Sequence, residues 1–247
     1  MAAYDFKAHR LFMDADLRPG EPLTLDRAAA NYLLNVLRLG PGDSILVFNG
    51  RDGEWRAALD PDGRKSAKLV PSERVRDQTP PADLVYLFAP LKHARLDYVV
   101  QKAVEMGAGT IAPVLTRRTV ASRVNLDRMR ANAVEAAEQC GILSVPAVLA
   151  EERLDAALDA LESERALVFC DEDAERTDPL AALATIAPGT RLALLVGPEG
   201  GFAPEERERL VARPNTVRIS LGPRILRADT AAVAALALIG PTRGDWL

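Results

Sequence analysis

The sequence predicts an α/β protein in two parts, a β-rich module over residues 1–78 and a larger alternating domain over residues 79–247. Three observations predict it. The chain up to Val75 reads as short alternating strands, turns and a single helix. At Asp77-Gln78-Thr79-Pro80-Pro81 a polar run ends in two prolines, and beyond it strand-length apolar runs alternate with helical periodicity. Two late strands run into Gly/Pro loops, Leu194–Phe202 and Ile219–Arg227. Loops of that kind, side by side at the end of a sheet, make a small-molecule site.

The N-terminal elements follow in order. Leu23-Thr24-Leu25 is a short alternating strand. Asp26 caps a helix over Arg27–Leu37, with Leu33, Val36 and Leu37 on its inner face. Pro41-Gly42-Asp43 is a turn, Ser44–Phe48 a strand, and Asn49-Gly50 a hairpin signal. Glu54–Leu59 and Lys65–Val75 complete the module, whose strands and one helix suggest a partly closed barrel.

In the second part, Leu84–Ala89 is a buried strand. Leu96, Val99, Val100, Ala103 and Val104 mark one face of a helix that ends at Gly107. Thr110–Leu115 is a strand, and Asn125 caps a helix with Met129, Ala133, Ala136, Ala137 and Cys140 facing inward. Leu154, Leu158 and Leu161 mark a further helix, Ala166–Cys170 a strand, and Pro179–Ile186 a short helix. Arg191–Val196 is a strand, after which Pro204 opens a helix with Glu205 and Glu206 in its first turn. Thr216–Ser220 is the last strand and Thr230–Leu238 the last long helix. Such alternation implies a parallel sheet covered by helices on both faces.

Composition narrows the class. An apolar fraction of 48% supports a proper core. The longest apolar stretch, Ala231 to Ile239, is too short to span a bilayer. The N-terminus carries Asp5, Lys7 and Arg10 and no apolar signal region. Two cysteines, Cys140 and Cys170, fit a reduced, cytoplasmic compartment without a disulfide framework. Net charge is −4, but residues 151–178 hold eleven acids against three bases, leaving the remainder net positive. Residues 116–130 hold five arginines (Arg117, Arg118, Arg123, Arg128, Arg130) against one acid, Asp127. That run reads either as a phosphate-facing patch or as a solvated loop and helix start.

The two loops exclude common chemistries. No Gly-Lys-Ser/Thr follows Gly197-Pro198-Glu199-Gly200-Gly201, so it is not a nucleotide-hydrolase phosphate loop. G-x-G-x-x-G is absent as well. Two cysteines and two histidines, His9 and His93, without ligand spacing support neither a zinc site nor a histidine base. What remains is a backbone-lined site, with Arg224 and Arg227 beside apolar Leu221, Ile225 and Leu226. Arg227 either serves that site or pairs with Asp229 as a surface arginine.

Here the residues carry a resemblance. "LLVGPEGGFAPEE" and "LGPRILRADTA" resemble the C-terminal signature of the SPOUT methyltransferases, and within them the 16S ribosomal RNA uridine N3-methyltransferase family. "RLF" at Arg10–Phe12 and "NVLRLGPGD" at Asn35–Asp43 resemble that family's PUA-like RNA-binding module. "VQKAVEMGAGTIAPVLTRRTV" at Val100–Val120 and "EAAEQCG" at Glu135–Gly141 resemble its central region. The chain departs from the family's usual pattern at Tyr32-Leu33-Leu34, at Ile142, and at Ala228-Asp229-Thr230, where the family usually has Thr-Glu-Thr.

The resemblance implies a SPOUT-type sheet with a deep trefoil knot, whose loops lie near 169–174, 196–203 and 219–229. Those loops would bind S-adenosylmethionine. Gly197, Pro198, Glu199 and Gly200 would form one wall, Leu221, Gly222 and Leu226 the adenine wall, and Cys170 with Asp171 and Glu172 a third. It implies a homodimer acting on 16S ribosomal RNA, with Arg227 stabilising the charge that grows on the uracil oxygens as N3 is methylated. Arg10, Arg38, Lys92, Arg117, Arg118 and Arg123 would contact RNA. Three other readings stay open: a SPOUT enzyme acting on tRNA or 23S ribosomal RNA, a non-catalytic ribosome-assembly protein, and a nucleotide kinase, which the missing phosphate loop disfavours.

Overall fold

A computed structural model describes residues 7–63, 66–92, 94–121, 123–174 and 178–246. Asp5, Lys65 and His93 lie outside the described residues. The chain divides into two compact units, one of Met1–Pro80 with Ala137–Val145 and one of Pro81–Ala136 with Pro146–Leu247.

The first unit contains β1 (Arg10–Phe12), β2 (Leu23–Thr24), α1 (Arg27–Asn31), β3 (Ser44–Phe48), β4 (Glu54–Pro61) and β5 (Ala67–Arg76). They form a five-stranded sheet ordered β1-β3-β4-β5-β2, with β1 parallel to β3 and the other pairs antiparallel. Register shifts at Glu54/Trp55 and Arg56/Ala57 bend the long β4–β5 pair, as bulges do. Leu23, Leu25, Leu33, Ile45, Val47, Leu59 and Leu69 fill the core.

Asp26 caps α1 by accepting the Ala29 N–H at 2.7 Å. The expected helix to Leu37 then widens into a π-helical turn over Tyr32–Val36, where the Leu37 N–H reaches the Tyr32 carbonyl. The wider turn rotates the following side chains. Leu33 is buried and Leu37 packs on the core, but Val36 is 61% exposed rather than inward. The Asn49-Gly50 hairpin forms with five connecting residues. The buried Asn49 amide organises them, donating to the Ala15 carbonyl and Asp52 and accepting the Arg51 and Asp52 N–H groups.

The second unit contains β6 (Leu84–Phe88), α2 (Ala94–Glu105), β7 (Thr110–Leu115), α3 (Leu126–Cys140, which runs on into the first unit), β8 (Ala147–Val148), β9 (Glu152–Arg153), α4 (Leu154–Ala160), β10 (Ala166–Cys170), α5 (Pro179–Ala184), β11 (Leu192–Val196), α6 (Pro204–Ala212), β12 (Thr216–Ile219) and α7 (Ala228–Arg243). The sheet is parallel and ordered β12-β10-β11-β6-β7-β8, with β9 also on β7. Leu87, Val114, Phe169 and Leu195 pack one face against Leu154 and Leu158 of α4 and Leu210 of α6. Tyr86, Phe88, Ile111, Val168 and Leu194, pointing the other way, are equally buried. A sheet covered on both sides needs such near-continuous apolar strands.

Gly107, at φ 87°, ends α2 with paired bonds, Gly107 N–H to Val104 and Ala108 N–H to Ala103. Asn125 caps α3 through the Arg128 N–H at 3.0 Å. Met129, Ala133, Ala136 and Ala137 are buried as expected, but Cys140 is exposed. Its angle on the helix is right. However, Cys140 is the last residue of α3, just before Gly141 at φ 63°. The last helix runs five residues beyond its expected end, through Pro241 to Arg243, whose guanidinium bonds the Ile186 and Ala184 carbonyls. Among the described residues, no helix is long and apolar enough to cross a membrane.

Candidate active site

Parallel pairing puts the carboxyl ends of β10, β11 and β12 on one edge of the sheet, and their loops enclose a cavity of about 320 Å³ with the start of α7. Cys170, Gly197, Pro198, Glu199, Leu221, Gly222 and Leu226 line it. Gly200 does not line it; its carbonyl turns outward to the Arg118 Nη1 at 2.8 Å. Gly197 is required by close approach, since a Cβ there would stand 2.4 Å from the Phe202 ring. Phe202 meets Phe169 edge-on at 5.3 Å, so the loop is pinned to the core beneath. The Gly201 N–H closes the turn on the Pro198 carbonyl, and Glu206 accepts the Ala203 N–H to start α6.

A charge cluster that the sequence does not reveal lines part of the cavity. Asp171 is 3% exposed. It accepts from Arg207 Nε at 3.1 Å and Nη2 at 3.0 Å, and from Arg218 Nε at 2.7 Å. Burial pushes the Asp171 carboxyl up, but the hydrogen bonds from Arg207 and Arg218 outweigh it and hold the group below the usual carboxylate range. The cluster joins the three loops: Asp171 follows β10, Arg207 stands on α6 after the β11 loop, and Arg218 on β12 precedes the third. Neighbouring Cys170 keeps part of its surface accessible, yet its thiol is enclosed, and burial pushes it up to about 12. It is therefore a neutral apolar wall and no nucleophile.

Arg227 is exposed at the N-cap of α7, between cavity residues Leu226 and Ala228. It does not pair with Asp229, whose carboxylate takes the Thr230 N–H. Among the described residues neither Arg224 nor Arg227 has an ion pair or a side-chain hydrogen bond.

The expected RNA-contacting residues separate on inspection. Arg10 is no surface cation. Its side chain is buried, and its Nε donates to Glu54 at 2.9 Å, so turning it out to a phosphate would break a buried ion pair. Arg38 is exposed at a left-handed φ of 57° and Lys92 is exposed, as is Arg123. Arg117 pairs with Glu205 and donates its N–H to Glu206. With the Arg118 bond to Gly200, this ties the 116–119 turn to the Gly/Pro loop. Arg128 pairs with Asp97, and Arg130 with Asp127.

Comparison with known proteins now decides the family. Residues 78–240 match the RNA methyltransferase domain family and residues 25–72 the RNA methyltransferase PUA domain. A ribosomal RNA small subunit methyltransferase E from Synechocystis is 31% identical over 94% of this chain and 77% of its own length. The chain belongs to the ribosomal RNA small subunit methyltransferase E family. Another member, from Rickettsia conorii, is 29% identical over 94% of this chain and 95% of that one. The crystal structure of a family member from Neisseria gonorrhoeae, bound to S-adenosyl methionine, superposes with a TM-score of 0.83 at 27% identity, covering 97% of this chain and all of that one. The family's PUA domain and parallel sheet with helices are thus both present, as the resemblance implied.

Proposed function

We propose that this protein is a cytoplasmic homodimer that transfers the methyl group of S-adenosylmethionine to N3 of a uridine in 16S ribosomal RNA. One observation carries the reading: in a chain of this family, three loops at adjacent strand ends enclose one cavity, and Arg227 lies in the chain between two of its lining residues, Leu226 and Ala228. The cavity fits the proposed methyl donor. Its volume of about 320 Å³ falls within the ~300–1,000 Å³ of small-molecule sites. Leu221 and Leu226 offer apolar faces, and the glycines let backbone groups come close. The small-subunit relatives, and the one solved with S-adenosyl methionine, support substrate and donor. Ile225, 97% exposed on the cavity rim, supports a second copy covering this edge. The position of β10 between the two strands that follow it supports the trefoil threading.

S-adenosylmethionine brings an activated methyl group, so the protein's task is alignment and charge stabilisation. Negative charge grows on the uracil O2 and O4 as N3 loses its proton. Arg227, unpaired among the described residues, is placed to stabilise that charge. Arg38, Arg117, Arg118 and Arg123 supply positive charge for phosphates. Arg227→Ala should bind S-adenosylmethionine normally by calorimetry and lose transfer by ~10²-fold or more; turnover near wild type refutes its role. Mass mapping of ribosomal RNA from cells with and without the protein tests the whole reading, which requires one N3-methyluridine in 16S RNA to disappear.

A further inference from the structure

A second cavity of about 360 Å³ lies against the first. Its lining comes from the loop after β6 (Leu91, Lys92), from Arg95 on α2, from Val120 after β7, and from Pro198 and Glu199 after β11. Pro198 and Glu199 line both cavities, so the two share a wall. Val120 is left 67% exposed beside the second cavity, although it is β-branched and apolar.

The chemistry of the lining is selective. Leu91, Val120 and Pro198 are apolar surfaces suited to the faces of a flat ring. Lys92 and Arg95 present N–H donors. Glu199 lines both cavities; its carboxylate Oε1 accepts from Arg95 Nη1, while its Oε2 takes no hydrogen bond among the described residues. A lining that offers two cationic donors and one open carboxylate acceptor suits a ring edge that reads acceptor, donor, acceptor. Uracil carries that edge at O4, N3–H and O2; cytosine, with its amino group and unprotonated N3, does not.

We infer that the second cavity seats the unstacked acceptor uracil, with Glu199 taking the N3–H and Lys92 and Arg95 reaching its oxygens. The shared wall then places N3 beside the donor cavity, and an RNA base can enter only when flipped out of its stack. This inference rests on the proposed function and names the acceptor side of that same site.

The test is Val120→Trp, which fills the second cavity without touching the first, read by calorimetric S-adenosylmethionine binding and by single-turnover methylation of small-subunit RNA. Donor affinity should stay within about twofold while methyl transfer falls ~10²-fold, the size of effect that misplaced reactants produce. Transfer at the wild-type rate overturns the inference. Should Val120→Trp fail to fold, Lys92→Ala decides. It should raise the KM for RNA about tenfold, the worth of one charged hydrogen bond, at unchanged donor affinity; an unchanged KM overturns the seat. Wild-type protein that binds the donor but methylates no small-subunit RNA removes the functional reading itself, and the seat with it.

Discussion

Each unit of this protein buries one carboxylate between two arginines, for different ends. In the first, Glu54 is held by Arg10 at 2.9 Å and Arg76 at 2.7 Å, with Arg10 as buried as its partner. Arg76 also bonds the Gly141 carbonyl, so the cluster helps tie residues 137–145 to the sheet. In the second, Asp171 is held by Arg207 and Arg218, whose side chains stay about one-third exposed. Asp171 and Arg207 also line the cavity proposed for the methyl donor. The same ionic arrangement acts as a strut where all but one member is sealed, and as a support for a binding loop where the cations reach the surface. Burial of the cations makes the difference, because a buried charge that loses its partner has no water to replace it.

The comparison can be broken most forcefully at Glu54. Glu54→Gln removes the buried charge that Arg10 and Arg76 share and should destabilise the protein by about 3–5 kcal/mol in denaturant unfolding. A loss below about 1 kcal/mol would mean that Arg10 is not sealed.

Asp171→Asn should cost less stability, about 1.5–3 kcal/mol, because water reaches its arginines, but should weaken S-adenosylmethionine binding as the loop loosens. The pH dependence sharpens this. The folded Asp171 carboxyl lies below its unfolded value. Its contribution is therefore present above the ordinary aspartate pKa of ~3.9 and is lost as pH falls through the folded value. Wild-type stability should show that acid limb, and Asp171→Asn should lack its share of it; identical acid profiles would refute the assignment.

Smaller effects follow. Gly197→Ala drives a methyl group into Phe202 and should cost about 1–3 kcal/mol as an overpacked site, with donor affinity falling alongside. Arg117→Ala removes an exposed pair with Glu205 and should change stability by less than about 1 kcal/mol. If Arg117 meets a phosphate, the salt slope of RNA binding should drop by about one; an unchanged slope would show that its bond to Glu205 is purely structural.

Local signals are legible in the sequence. Ser44–Phe48, Thr110–Leu115 and Ala166–Cys170 form as the apolar runs imply, and Asp26 and Asn125 cap where their side chains meet a following helix. Such features depend on neighbours a few residues away. The failures were non-local. Val36 points outward because the helix widens, Cys140 is exposed at the last residue of its helix, and Arg10 turns inward because Glu54 lies across the sheet. An arginine looks the same in sequence whether it serves a phosphate or a buried acid.

By itself the sequence determined the two-part α/β plan, the Gly/Pro loops and the family, because each is written in contiguous residues and their spacing. Only the tertiary structure decided that three loops far apart in the chain share one cavity, that Asp171 joins them through Arg207 and Arg218, and that Glu199 lines two hollows. These facts depend on strand order, and strand order is settled by packing across the sheet rather than by any local preference along the chain.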